Sequence, residues 1–99
     1  MADVDQELLE LSDRIRACAS RACELTVEVT KIRNRDASLS ALARELGTAW
    51  RVGNELADRL FNAAINTELF DGQPESSLAT KALKRFDELE RWAIAALGS

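Results

Sequence analysis

The 99-residue chain contains no histidine. That absence removes the commonest general base at neutral pH, the serine–histidine triad and every metal site that relies on imidazole. Tyrosine is missing too, and Pro74 is the only proline. With glycine also sparse, turn-forming residues are too few for a many-stranded β fold, while a hydrophobic content of 46% argues against a disordered chain. An all-helical domain is what remains. Charges interrupt every apolar run, so neither a signal peptide nor a membrane span is expected.

A dominant sign of charge is also lacking. The 17 acidic and 13 basic residues are spread through every part of the chain and leave a net charge of -4, without the basic footprint of a nucleic-acid-binding protein. Nucleic acid is therefore a disfavoured partner. The basic residues are mostly arginine and alanine is abundant, a bacterial-like composition in keeping with a GC-rich genome. Cys18 and Cys23 fall five residues apart on one expected helix, which separates their Cα atoms by at least about 7.5 Å and prevents them from pairing. A reduced, cytoplasmic protein is expected, with an intermolecular disulfide through Cys23 as the alternative. Cys18 lies on an apolar seam, where a thiol acts as a small hydrophobe rather than a nucleophile.

What the chain does contain is periodicity. Val4, Leu8, Leu11, Ile15, Cys18, Ala22, Leu25, Val29 and Ile32 recur at alternating spacings of four and three, the signature of a long amphipathic helix of about 45 Å. Asp3 and Asp5 suit its N-terminus, and Lys31, Arg33 and Arg35 its C-terminus. The β-branched run Thr26, Val27, Val29 and Thr30 lowers helix propensity, but the seam continues through it. Asn34 to Ser38 reads as a turn, with Ser38 or Ser40 as the cap of a second helix. That helix carries Leu39, Leu42, Leu46, Ala49, Gly53, Leu56, Leu60 and Ala63 on its seam.

Gly47 and Gly53 each cost about 1 kcal/mol against alanine inside a helix and so need a reason. Close helix approach explains Gly53, and a break near Gly47 is the alternative to one continuous helix. Asp71-Gly72-Gln73-Pro74 supplies stop signals, Ser76 and Ser77 offer alternative caps, and a third helix follows with Leu78, Ala82, Phe86, Leu89, Ala93, Ala96 and Leu97. Its Lys81, Lys84, Arg85 and Arg91 turn mostly outward. The expected fold is one domain, residues 1–99: an all-α, up-down-up three-helix bundle with long first and second helices and coiled-coil-like spacing. Folding the second helix back on the first places position i opposite about 72 minus i, setting Trp50 against Ala22 in the core and Phe61 against Leu11. The third helix then brings Ala93 to Gly53 and Phe86 to Phe61.

Two stretches resemble known families. Leu39-Ser-Ala-Leu-Ala-Arg-Glu-Leu-Gly47-Thr-Ala-Trp-Arg-Val-Gly-Asn-Glu-Leu56-Ala-Asp-Arg-Leu60 resembles a helix-turn-helix unit, with Ala43 four residues before Gly47 in the turn. The resemblance implies a DNA-binding regulator using residues 39–60, with Trp50 opening the recognition helix. Gly53 departs from the β-branched residue that locks this helix, Val52 being one place early, and Glu45, Glu55 and Asp58 offset Arg44, Arg51 and Arg59. Glu24-Leu-Thr-Val-Glu-Val-Thr-Lys31 and Asp58-Arg-Leu-Phe-Asn-Ala-Ala-Ile65 resemble the all-helical chorismate mutase family, implying a small helical enzyme whose long helix holds a dicarboxylate with arginines. Two of those positions fall on Asp5 and Ala22, Arg33 alone matches a family lysine, and Arg14 or Arg21 would serve from neighbouring places. Trp50-Arg-Val-Gly53 also resembles the Trp-x-Gly turn of secreted helical hairpins, with one residue too many. Glu24 and Glu28, one turn apart, lack the Glu-x-x-His element of a bundle di-metal centre and read as a solvated face.

No catalytic residue, metal ligand or cofactor follows from these patterns. The leading expectation is a small acidic protein–protein interaction module, acting as an inhibitor, immunity-type protein, adaptor or chaperone by binding a partner protein or itself; the regulator and the enzyme are the alternatives. The third helix is about ten residues shorter than the others, so it should stop about 15 Å short of the first turn. Val29, Ile32, Leu39, Leu42 and Leu46, with Val27 beside them, then form an uncovered patch for a partner or a second copy. A bend at Gly47 that folds Leu39 and Leu42 over the first helix would close that end instead.

Overall fold

The computed structural model describes residues 4–66 and 73–98. Three long helices make up nearly all of them: α1, Gln6–Ile32; α2, Ala37–Ile65; and α3, Gln73–Leu97, with a 3-10 turn at Arg33–Arg35 between the first two. They run up, down and up in an elongated bundle. Aspartates set the starts of both α1 and α2. The Asp5 carboxylate accepts the Leu8 N–H at 3.2 Å, and its own backbone N–H donates to the Ala64 carbonyl at 3.0 Å, which ties the start of α1 to the end of α2. Asp36 caps α2 by accepting the Ser38 N–H at 2.9 Å. Ser38 and Ser40, the expected caps, therefore lie inside the helix, because the extended backbone that a cap requires occurs at Asp36, directly after the 3-10 turn. Asp3 lies outside the described residues.

The β-branched stretch of α1 stays helical because its hydroxyls turn back onto the helix: Thr26 donates to the Ala22 carbonyl at 2.8 Å and Thr30 to the Thr26 carbonyl at 2.6 Å. α2 is continuous through Gly47 and Gly53. The alternative break near Gly47 is absent, and with it the turn that a helix-turn-helix needs. α2 instead ends earlier than the stop signals imply, since Asn66 donates both its backbone N–H and its side-chain amide to the Asn62 carbonyl at 3.0 Å and closes the last turn. Asp71 and Gly72 lie outside the described residues, and Ser76 and Ser77 sit within the first turns of α3 rather than at its cap.

α1 and α2 approach each other much more closely than either approaches α3. Small residues permit this: Ala19 faces Gly53, in the expected register, and the buried Ser12 hydroxyl donates to the Ala57 carbonyl at 2.8 Å. Ile15, Val29, Leu46, Leu60 and Leu89 are the largest side chains shut wholly inside. Trp50 is not among them. It is 44% exposed, contrary to the expected packing on Ala22, because the close α1–α2 approach leaves no gap for an indole and turns it to the outer edge of the contact. Phe61 lies outside for the same reason, half-exposed rather than buried against Leu11 or Phe86.

α3 is also displaced from its expected register. Phe86, not Ala93, lies against Gly53, a shift of one heptad, or about two turns, toward the α1–α2 turn. With α2 stopping at Ile65 and α3 starting at Gln73, the fold-back centre moves toward the N-terminus and carries α3 with it. Trp92 and Ala96 therefore reach Ser38, Leu39 and Leu42, and the end expected to be bare is largely covered.

Candidate functional site

The same shift that covers one end opens a long groove between α2 and α3. Three adjoining clefts run along it, lined on α2 by Leu39, Leu42, Glu45, Ala49, Val52 and Leu56 and on α3 by Ala82, Arg85, Leu89, Trp92 and Ala96. Both walls keep three-four spacing. Leu42, Glu45, Ala49, Val52 and Leu56 form one stripe, and Leu78, Ala82, Arg85, Leu89, Trp92 and Ala96 form the other. Each stripe borders the seam that faces the core and shares Leu42, Ala49 and Leu56 on α2 and Leu78, Ala82, Leu89 and Ala96 on α3 with it, so Val52 and Trp92 widen the apolar face of each helix. Val52 is 48% exposed and Trp92 50%, so the groove opens outward.

Arg85 occupies the middle of the groove. Its guanidinium bonds Glu45 across the groove at 2.8 Å and Glu88 on its own helix at 3.2 Å, and it lies 5.2 Å from the centre of the Trp92 ring. These contacts fix the indole against the wall while leaving its outer half open. All three charged partners are solvent-facing, so the pairs orient side chains more than they stabilise the fold.

Of the six residues expected to form a docking patch, Leu39 and Leu42 line one end of this groove and are half-buried. Val29 and Leu46 are fully inside the core, because α3 extends far enough to cover them. Ile32 is half-buried, and Val27 is exposed on α1, away from the groove. The six do not form one surface. The residues missed by the sequence reading are Val52, Arg85 and Trp92. The signal for Val52 and Trp92 was an apolar residue beside the expected seam, most plainly Trp92, at three-four spacing from Leu89 and Ala96, while nothing in the spacing singled out Arg85.

A smaller cleft of about 180 Å³ lies between α1 and α3, where Arg14, Cys18 and Arg21 face Asp87 and Glu90. Burial pushes the Cys18 thiol above its ordinary value, Glu90 adds to that shift and Arg14 opposes it. Arg21 is held by Glu24 at 3.2 Å and approaches Glu90 at 4.0 Å, so a dicarboxylate entering here would meet carboxylates already beside Arg21. Arg33 lines a different recess with Thr30 and Arg44, and the structure does not bring it to Arg14 or Arg21. Glu28 is paired with Lys31 at 3.0 Å, and Glu24 and Glu28 both remain on the solvated face of α1.

Among the described residues no group of three or more histidine, cysteine, aspartate or glutamate side chains is arranged to hold a metal, and no helix is long and apolar enough to cross a membrane. No family model, curated protein or solved structure matches the chain.

Proposed function

We propose that the protein is a small interaction module whose α2–α3 groove receives an amphipathic helix, so that the docked helix and this chain together form a four-helix bundle. The observation that carries this reading is the pair of three-four stripes that wall the groove, with Val52 and Trp92 half-exposed along them. Two parallel stripes at this spacing are what a straight helix needs for knobs-into-holes packing. From Leu39 to Leu56 the wall is about 25 Å long, the length of a helix of about seventeen residues. Covering the open halves of Val52 and Trp92 contributes roughly 1 kcal/mol each before ordering costs, a scale that suits reversible binding. A module of this kind acts as an inhibitor, immunity-type protein, adaptor or chaperone by occupying a helix of its partner.

The test is a nuclear magnetic resonance titration of the full chain with designed amphipathic peptides about eighteen residues long, each with leucine at three-four spacing. Shifts confined to Val52, Leu56, Ala82, Leu89 and the Trp92 indole are expected. Val52→Asp should abolish them with helicity unchanged in circular dichroism, because Val52 is half in solvent already. Shifts centred on Trp50 and Phe61 would move the interface to the α1–α2 face and overturn the proposal, as would no shift with any peptide at millimolar concentration.

A further inference from the structure

The groove's charge selects its occupant, and we infer that it takes an acidic amphipathic helix from a partner protein, an inference that rests on the docking reading above. Glu45 and Glu88 are the carboxylates nearest the apolar stripes, and both are engaged by the single guanidinium of Arg85. The guanidinium offsets one of these two carboxylates, so the cluster keeps a single net negative charge. Around them stand cations without such partners. Arg44 and Arg59 on the α2 rim, and Lys81 and Lys84 on the α3 rim, lie within about 100° of the groove stripes on their helices and pair with no described carboxylate. Glu55 and the residual charge of the Arg85 cluster oppose them on these rims among the described residues, with the unpaired Glu75 on the inner side of the α3 stripe. Elsewhere on the bundle Asp58, Asp87 and Glu24 hold arginines of their own, while Arg14, Arg33, Arg35 and Arg51, which also pair with no described carboxylate, lie off the groove. A chain of net charge -4 thus presents a locally basic border around its most open apolar groove.

The geometry sets free cations on both rims, where charged positions flanking the apolar stripe of a docked helix would lie. Glutamate or aspartate at those positions meets Arg44 and Arg59 on one side and Lys81 and Lys84 on the other. A second copy docking by two-fold symmetry brings the same basic rims toward each other, and a basic helix meets like charge on both sides. Complementarity therefore favours a partner helix with leucine-like residues along one stripe and carboxylates beside it.

The Trp50→Phe variant leaves Trp92 as the sole tryptophan and reports on the groove directly. Two peptides serve as probes, about eighteen residues each with leucine at three-four spacing, one with glutamate and one with lysine at the flanking positions. The glutamate peptide should shift Trp92 emission to the blue and bind at least about tenfold more tightly at low ionic strength, an advantage that shrinks as salt shortens the screening length. Arg44→Glu combined with Lys81→Glu should reverse the preference, since both side chains are exposed and their replacement leaves the apolar walls intact. Equal binding of both peptides, or tighter binding of the lysine peptide, overturns the inference and leaves the docking reading standing. A concentration-dependent rise in mass that buries Trp92 without any peptide assigns the groove to a second copy and overturns it too. No binding by either peptide removes both readings.

Discussion

The Phe86 ring of α3 rests on Gly53 of α2, so closely that a Cβ at position 53 would lie 2.7 Å from the ring's Cζ and 3.1 Å from the Ala19 Cβ. One glycine thus admits two neighbours, α1 on one side and an aromatic ring on the other. Gly53→Ala gains about 1 kcal/mol of helix propensity but overpacks the site at a cost of roughly 1–3 kcal/mol. The ring tip can pivot, whereas the Ala19 methyl moves only with its backbone. A net loss on the order of 1 kcal/mol is expected in urea melts. Phe86→Leu in the Gly53→Ala background should recover part of it, and strict additivity of the two changes would show that the residues do not touch.

Gly47 makes the opposite case. A Cβ there meets only the Thr26 methyl at 3.9 Å, ordinary contact distance, and the helix is continuous around it. Gly47→Ala should therefore stabilise the protein by about 0.5–1 kcal/mol through helix propensity alone. A lowered urea midpoint would mean that α2 bends at this position.

Ser12 is the one buried polar side chain among the described residues, and its hydroxyl donates to the Ala57 carbonyl at 2.8 Å between α1 and α2. Ser12→Ala removes the donor while the carbonyl keeps its helical partner, so the expected loss is about 0.5–1.5 kcal/mol. Ser12→Val should cost more, because the added methyl enters the closest part of the helix contact. An unchanged thermal midpoint for both variants would count against the contact.

Cys18 should ionise at higher pH in the folded chain than in the unfolded one, since burial disfavours its thiolate and Glu90 reinforces the effect. In Cys23→Ser protein, iodoacetamide labelling of Cys18 is expected to be slower than in urea, with its pH profile displaced upward. A thiol whose folded value is raised contributes stability below its ordinary value, and this is lost as pH rises through the folded value. Cys18→Ala should flatten that alkaline decline in thermal midpoint. Coincident folded and unfolded labelling profiles would refute the shift.

Much of the bundle was legible in the spacing of apolar residues. The length of α1, the turn after it and the all-helical class follow from a four-three repeat folded back on itself, because such a seam is buried only against another like it. The burial of Ser12 and Ala19 ahead of Leu11 and Cys18 does not follow from that repeat. Two decisions needed the tertiary structure. One was the side of α2 on which Trp50 lies, which depends on how closely α1 and α2 approach and so on the combined volume of Ala19, Gly53 and Ala57 rather than on periodicity. The other was the position of α3. A heptad seam slid by seven residues presents the same pattern to its neighbours, so spacing alone does not distinguish Ala93 at Gly53 from Phe86 at Gly53. The recess at Gly53 and the early end of α2 at Ile65 select Phe86, and that choice both covers Val29 and Leu46 and sets Trp92 at the edge of the groove.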